Sequence, residues 1–389
     1  MFLDIKNPDH IVPSYSLTGD LLSYLRCRLQ YRYHNKSSLP PSRPVQQWFG
    51  EFLHGTLEFT YRFWEEHHES YPFPWPCNQR PWGDPEPDWT PNDIGRFANQ
   101  VESALRQQGK EARSADARNS GYRRVAMAIN QLGPHLFPLI ALAEKKVIGT
   151  RRVPDSQRDL RCSNYEVHGI IDVLTHMELG QADHTNLIRK CVEDGCPNLE
   201  GEYEVIVDYK GSKRPNMSES YWEQGEWQVQ TYAWLRSRQP DSLPVAAGIL
   251  IYINELTPGD SEMTNLKKGI LNRETDIVPE PGSADEQLVR MWRPGNSTDQ
   301  LSIDLRLRRA IRVIPITDES TQRALAAFDH VVRSVEEDIV DEVDHGNILT
   351  SWRPNCRDES TCIACDFRHF CPHPAGQPDN YIPGTPSAP

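Results

Sequence analysis

The stretch EYEVIVDYKGSK, residues 202–213, decides how the rest of the chain is read. It reads as a strand, and side chains two apart on a strand share a face. Asp208 and Lys210 then stand side by side, about 7 Å apart along the backbone, while Val207 and Tyr209 face the other way. An acid and a lysine leaving an otherwise apolar strand are costly to bury unless each is paired or binds something. Alone, an Asp-x-Lys strand is most simply a surface ion pair.

Its neighbours change that balance. YEVHGIIDVLTHM (165–177) is a second apolar strand, and Asp172 shares a face there with Ile170 and Leu174. Laid side by side, the two strands bring Asp172 and Asp208 together, where like charges repel unless a divalent cation sits between them. A few hard oxygen ligands suit Mg²⁺ or Mn²⁺, which polarises a phosphate and acidifies a bound water. Lys210 would then orient that water or neutralise charge on the phosphate. SYWEQGEWQVQTYAWLRSRQ (220–239) reads as a helix with Gln228 and Tyr232 on one face. These two either hold a phosphate or the lysine, or pack helix on sheet. VAAGILIYINEL (245–256) supplies another strand, and the order strand, strand, helix, strand gives a compact mixed α/β core.

Outward from this core, residues 16–34 read as one helix carrying Cys27, and 45–69 as a long amphipathic helix carrying His54, either a metal or phosphate contact or a core residue. Residues 71–92 are proline-rich loop. A helical stretch is expected from Asp93 to Lys145, which makes Glu144 a helix-end charge. Residues 260–302 read as an elaboration, 301–316 as one or two strands, 318–339 as a helix and 376–389 as a disordered tail. CVEDGCPN (191–198) reads as a loop. Trp222, Trp227 and Trp234 read as core or interface residues before base-stacking ones.

The 389-residue chain carries a net charge of −13, the wrong sign for coating nucleic acid nonspecifically. Its basic stretches (26–36, 149–161, 210–214, 306–312) and its acidic run SVEEDIVDEVDHGN (334–347) read as solvated faces. No bilayer-length apolar run, secretory leader or Gly-Lys-Ser/Thr motor motif is visible, so a soluble cytoplasmic protein is expected. Nine cysteines, three of them in CIACDFRHFC (362–371), then favour metal binding over disulfides. Four thiolates suit zinc or an iron–sulfur cluster, and spacing does not decide between them. A local site from Cys356, Cys362, Cys365 and Cys371 would resemble a zinc knuckle.

Taken in order, His54, GIID with Asp172, VDYK with Asp208 and Lys210, and QVQTY with Gln228 and Tyr232 resemble the RecB-like branch of the PD-(D/E)XK nuclease superfamily. Its iron–sulfur members add one upstream cysteine and a downstream Cys-x-x-Cys-x5-Cys run, matched here by Cys27 and by Cys362, Cys365 and Cys371. Arg28 stands where members often have proline after the upstream cysteine, and Glu144 where they often carry an acid. The resemblance implies a restriction-endonuclease-like mixed sheet core flanked by helices, with an added helical region and a cysteine-cluster staple joining the N- and C-terminal segments. The implied units are 1–40, an N-terminal helix with one cluster cysteine; 41–140, helical; 141–260, the nuclease core; 261–320, insert and sheet extension; 321–375, C-terminal helix and cysteine loop; and 376–389, tail. It further implies a Mg²⁺- or Mn²⁺-dependent DNA exonuclease acting on single strands or duplex ends in processing, repair or defence, beside a helicase or other protein partner. His54, Asp172, Asp208 and the Tyr209 carbonyl are the implied metal ligands, with Lys210, Gln228 and Tyr232 assisting and a structural [4Fe–4S] cluster on the four cysteines. A non-cleaving DNA-binding or scaffolding subunit is the alternative.

Overall fold

The computed structural model describes residues 12–37, 39, 45–80, 87–178 and 183–375; the tail expected at 376–389 lies outside them. Among the described residues the strands are β1 Ser14–Ser16, β2 Ile140–Arg152, β3 Asn164–Glu178, β4 Glu202–Lys210, β5 Val245–Tyr252 and β6 Ile311–Pro315. They form one mixed sheet in the order β1-β3-β4-β5-β6, with β2 antiparallel along the other edge of β3. β4 runs antiparallel to β3 and parallel to β5. The main helices are α1 Val45–His67, α2 Ile94–Gln107, α3 Ala115–Leu136, α4 Leu187–Gly195, α5 Ser220–Ser237, α6 Asp260–Asn272, α7 Ala284–Met291, α8 Ile303–Ala310 and α9 Asp318–His345.

The sheet is covered on both faces, which is why β4 is buried from Tyr203 to Tyr209. Val205, Val207 and Tyr209 join α1, α2 and α3 in one core, through side chains such as Phe52, Val101 and Ile129. Ile206 points into a second core with Val229 and Leu235 of α5 and Phe328 and Val332 of α9. The two faces of β4 thus separate as its period of two requires. The added helices are packed directly onto the sheet, and α1 carries His54 to its surface.

Helix α5 approaches the sheet closely because glycine lies beneath it. A Cβ on Gly248 would fall 2.6 Å from Cβ and Cγ2 of Val229, and one on Gly169 would fall 2.5 Å from the Tyr232 ring. Neither position has room for a side chain without displacing the helix.

Several expectations need correction. The helix expected to reach Lys145 ends at Leu136, and residues 140–152 form β2, so Glu144 is a strand residue. Ala, Leu, Glu and Lys in IALAEKK favour helix locally, but pairing with β3 outweighs a propensity of a few tenths of a kcal/mol per residue, roughly. The run 301–316 begins as α8, and only Ile311–Pro315 is strand. Cys191 lies in α4, not in a loop. The helix expected over 16–34 is broken at Cys27, whose backbone is extended.

The charged stretches are not merely solvated. Glu336 in the acidic run of α9 accepts from Arg161, Glu342 accepts both Nε and Nη2 of Arg32 at 2.6 Å, and Asp341 accepts Arg158 at 2.8 Å. Arg214, Arg309 and Arg312 are buried, paired with Asp276, Glu255 and Glu226 in turn. Trp234 is buried and Trp227 packs edge-on to Phe328, as core residues do.

Replacing Gly248 by Ala is expected to destabilise the protein by about 1–3 kcal/mol, the usual size of an overpacking penalty. Chemical denaturation of the two proteins measures it directly.

Candidate active site

The sheet forks at Asp172. β1 pairs with β3 as far as His168, and β4 begins pairing with the same edge at Val173. Asp172 turns its carboxylate into this fork, where Oδ2 accepts the Tyr209 N–H at 2.8 Å. Oδ1 faces His54 Nδ1 at 3.4 Å. Buried Phe52, Leu53 and Leu57 fix the rotation of α1 and hold the imidazole at the rim of the sheet. The ring of Tyr209 stands edge-on to it, 6.0 Å between centroids.

Glu144 completes the cluster. The β2–β3 register sets Ala143 against Val173 and Lys145 against Ile171, which leaves Glu144 opposite Asp172. Its backbone is left-handed (φ 50°), an uncommon conformation for a residue with a Cβ. One ligand atom each from His54, Glu144 and Asp172 lie within 4.8 Å of one another. They border a hollow of about 20 Å³, room for one water or one small ion.

Asp208 lies behind this cluster on the α5 side. Its buried carboxylate takes the Gln228 amide on Oδ1 at 2.7 Å and has Lys210 Nζ 2.6 Å from Oδ2. Lys210 donates in turn to Gln228 Oε1 at 2.6 Å, so acid, lysine and amide form a closed ring of contacts. Tyr232, one helical turn beyond Gln228, lies over Gly169. From Lys210 and Gln228 a cleft of about 580 Å³ opens past Lys213 and Tyr221 to Arg26 of the N-terminal segment and Thr361 of the cysteine loop.

The site has a surplus of negative charge. Burial opposes a charge on His54, but Asp172, then Asp208 and Glu144, override it and push the imidazole up to about 9. Desolvation and then the charge of Asp172 raise the Glu144 carboxyl to about 7. Burial also raises Asp208, opposed by Lys210 and reinforced by Asp172. Two carboxylates with one imidazole form a donor set that fits a divalent cation.

The cysteine loop meets the N-terminal segment. The Arg28 N–H donates to Asn355 Oδ1 at 2.9 Å, and the Phe367 ring lies 4.5 Å from Tyr33 and 4.9 Å from His34. Burial, then Cys27, Cys371 and Cys362, push the Cys365 thiol up to about 11. Cys356 is pushed to about 12 by burial with Cys362 and Cys27 beside it. Cys27 and Cys371 lie in one core, and Cys356 packs against it. All of these cysteines are free thiols.

Of the residues singled out in the sequence, His54 and Asp172 meet in one cluster and Asp208, Lys210 and Gln228 in a second contiguous with it. Glu144, expected as a helix-end charge at a position where the resembling family often carries an acid, stands on β2 in the first of these clusters. The run VIGT after it, with its β-branched residues, is the local signal of the strand that carries it.

A profile of the PD-(D/E)XK nuclease superfamily matches residues 198–372. The matched span takes in Asp208, Lys210, Gln228, Tyr232 and the three C-terminal cysteines of the loop run, while His54, Glu144, Asp172 and Cys27 lie upstream. No curated protein matches the chain. With the six-stranded mixed sheet, the match points to a metal-dependent nuclease.

The pH response follows from the raised groups. His54, raised from 6.5 to about 9, stabilises the metal-free protein below 6.5 and ceases to do so as pH rises through 9. Glu144, raised from 4.5 to about 7, withdraws its contribution as pH rises through 7. A cation needs both deprotonated, so the rise in melting temperature produced by Mn²⁺ is expected to grow from about pH 6 to about pH 9. Asp172→Asn should abolish that growth, as differential scanning fluorimetry will read.

Proposed function

We propose that the protein is a divalent-cation-dependent DNA nuclease, an exonuclease working on single strands or duplex ends in DNA processing, repair or defence. The observation that carries this reading is the Lys210 ammonium held between Asp208 and Gln228, directly beside the His54, Glu144 and Asp172 cluster. His54, Glu144 and Asp172 would hold the cation, with Asp208 and the Tyr209 carbonyl as further oxygen donors. The cation, when bound, supplies Lewis-acid polarisation of the scissile phosphate and a more acidic water. One imidazole among oxygens favours Mn²⁺ over Mg²⁺.

Lys210 lines the cleft while paired with Asp208, placed to orient an attacking water or to meet charge developing on the phosphate. Gln228 fixes the direction of the lysine and prevents Asp208 from taking it up alone. Tyr232 keeps α5 seated and, through it, Gln228. The cleft beyond, with Arg26 and Lys213 on its walls, is the place for the polynucleotide. A helicase or other protein partner would deliver the strand.

A structural [4Fe–4S] cluster on Cys27, Cys362, Cys365 and Cys371 completes this reading. It would join two segments, 28–34 and 355–367, that already touch, and hydrolysis asks no electrons of it.

Lys210→Ala and Asp208→Ala are each expected to reduce cleavage of labelled single-stranded and duplex DNA by about a hundredfold or more. Equal degradation by wild type and both variants would remove the catalytic assignment. Anaerobically purified protein should be brown, and Cys27→Ala should lose iron while Cys356→Ala keeps it. Iron lost only from the Cys356 variant would transfer the fourth ligand to that residue.

A further inference from the structure

The segment after β5 carries its own small core, in which Met263 and Leu266 of α6 meet Val289, Trp292, Leu301 and Leu305. Outside that core, α6, α7 and the loop between them enclose a groove of about 860 Å³ with a largely apolar floor. Ile270, Leu271, Val278 and Pro279 form much of it, and Leu271 is 83 % exposed. Lys267 closes one side by donating to the carbonyls of Arg290 and Trp292.

The rim is basic. Lys268, Arg290 and Arg293 are exposed along it. The carboxylate of Glu286, the acid that lines the groove, is engaged by the Gly282 N–H at the start of α7. An apolar floor inside a positive rim, on a chain of net charge −13, is a local reversal that selects for an opposite partner.

We propose that this groove docks an acidic peptide segment of a partner protein, anchored by large apolar side chains. Exposed leucine, valine and proline surface rewards apolar side chains and offers a nucleic acid no base-edge hydrogen bonds. The acidic run of a second copy is already engaged, Glu336 by Arg161, Asp341 by Arg158 and Glu342 by Arg32. Those three carboxylates are therefore not free to answer this rim. The inference does not depend on the nuclease reading, since no residue of the groove belongs to the candidate active site.

The test uses the full-length protein and a fluorescein-labelled amphipathic peptide with leucines at i, i+3, i+4 and i+7 and glutamates between them. Its lysine counterpart and a labelled single-stranded oligonucleotide are the comparisons, all read by anisotropy at low salt. Saturable binding of the acidic peptide is expected, weakened about tenfold or more both by Leu271→Asp and by Lys268→Glu/Arg290→Glu/Arg293→Glu. DNA cleavage should be unchanged in both variants, and the lysine peptide should not bind. Absence of saturable binding, or binding indifferent to both variants, overturns the proposal. Loss of oligonucleotide binding alone in the triple variant assigns the surface to nucleic acid instead. Self-association in sedimentation that Leu271→Asp abolishes assigns it to a second copy.

Discussion

The Gln228 side chain touches both Asp208 and Lys210 because α5 lies where Gly169 and Gly248 leave the sheet without side chains. The fit extends along the helix. Arg236 grips Glu204 with two hydrogen bonds of 2.7 and 2.8 Å, while Gln228 grips Asp208. Four strand residues span about 13 Å and eight helical residues about 12 Å, so both polar pairs form together with the helix running antiparallel to the strand. The end at Glu204 is a closed ion pair. The end at Asp208 has a cleft and a second acid nearby, and chemistry is possible only there.

Much of this was legible in the sequence because it depends on short periods. The period of two in VIVDYK separated Asp208 and Lys210 from Val207 and Tyr209, and the helical period placed Gln228 and Tyr232 together. The meeting of Asp172 with Asp208's strand needed only that β3 and β4 be neighbours. What escaped depends on pairing between distant segments. Glu144 sits in residues whose local preference is helical, and only its register against β3 brings it to His54 and Asp172. The fork at Asp172 was equally hidden, since it arises from β1, three residues long and more than 150 positions upstream of its partner.

Charge was the other blind spot. Counted along the chain, the acidic run and the basic stretches look like separate solvated surfaces. In the fold the acidic run and two of the basic stretches are two sides of one seam: α9 supplies Glu336, Asp341 and Glu342, and residues 28–32 and 158–161 supply the arginines. Partly buried pairs of this kind add little net stability against an apolar equivalent, but they penalise any other docking of α9 strongly. Such pairs select one arrangement of the helix.

That seam also sets an order of events during synthesis. Tyr15 donates to Glu336, Tyr24 to Asp338 and Arg32 to Glu342, contacts that bridge more than 300 positions. While the ribosome is still making the middle of the chain, Tyr24 and Arg32 lack the α9 carboxylates they pair with. Closing so long a loop adds little to the thermodynamic cost, which grows only with the logarithm of its length. It weighs on the rate instead. The wall of the cleft that Arg26 and Thr361 share can be assembled only after residue 361 has emerged.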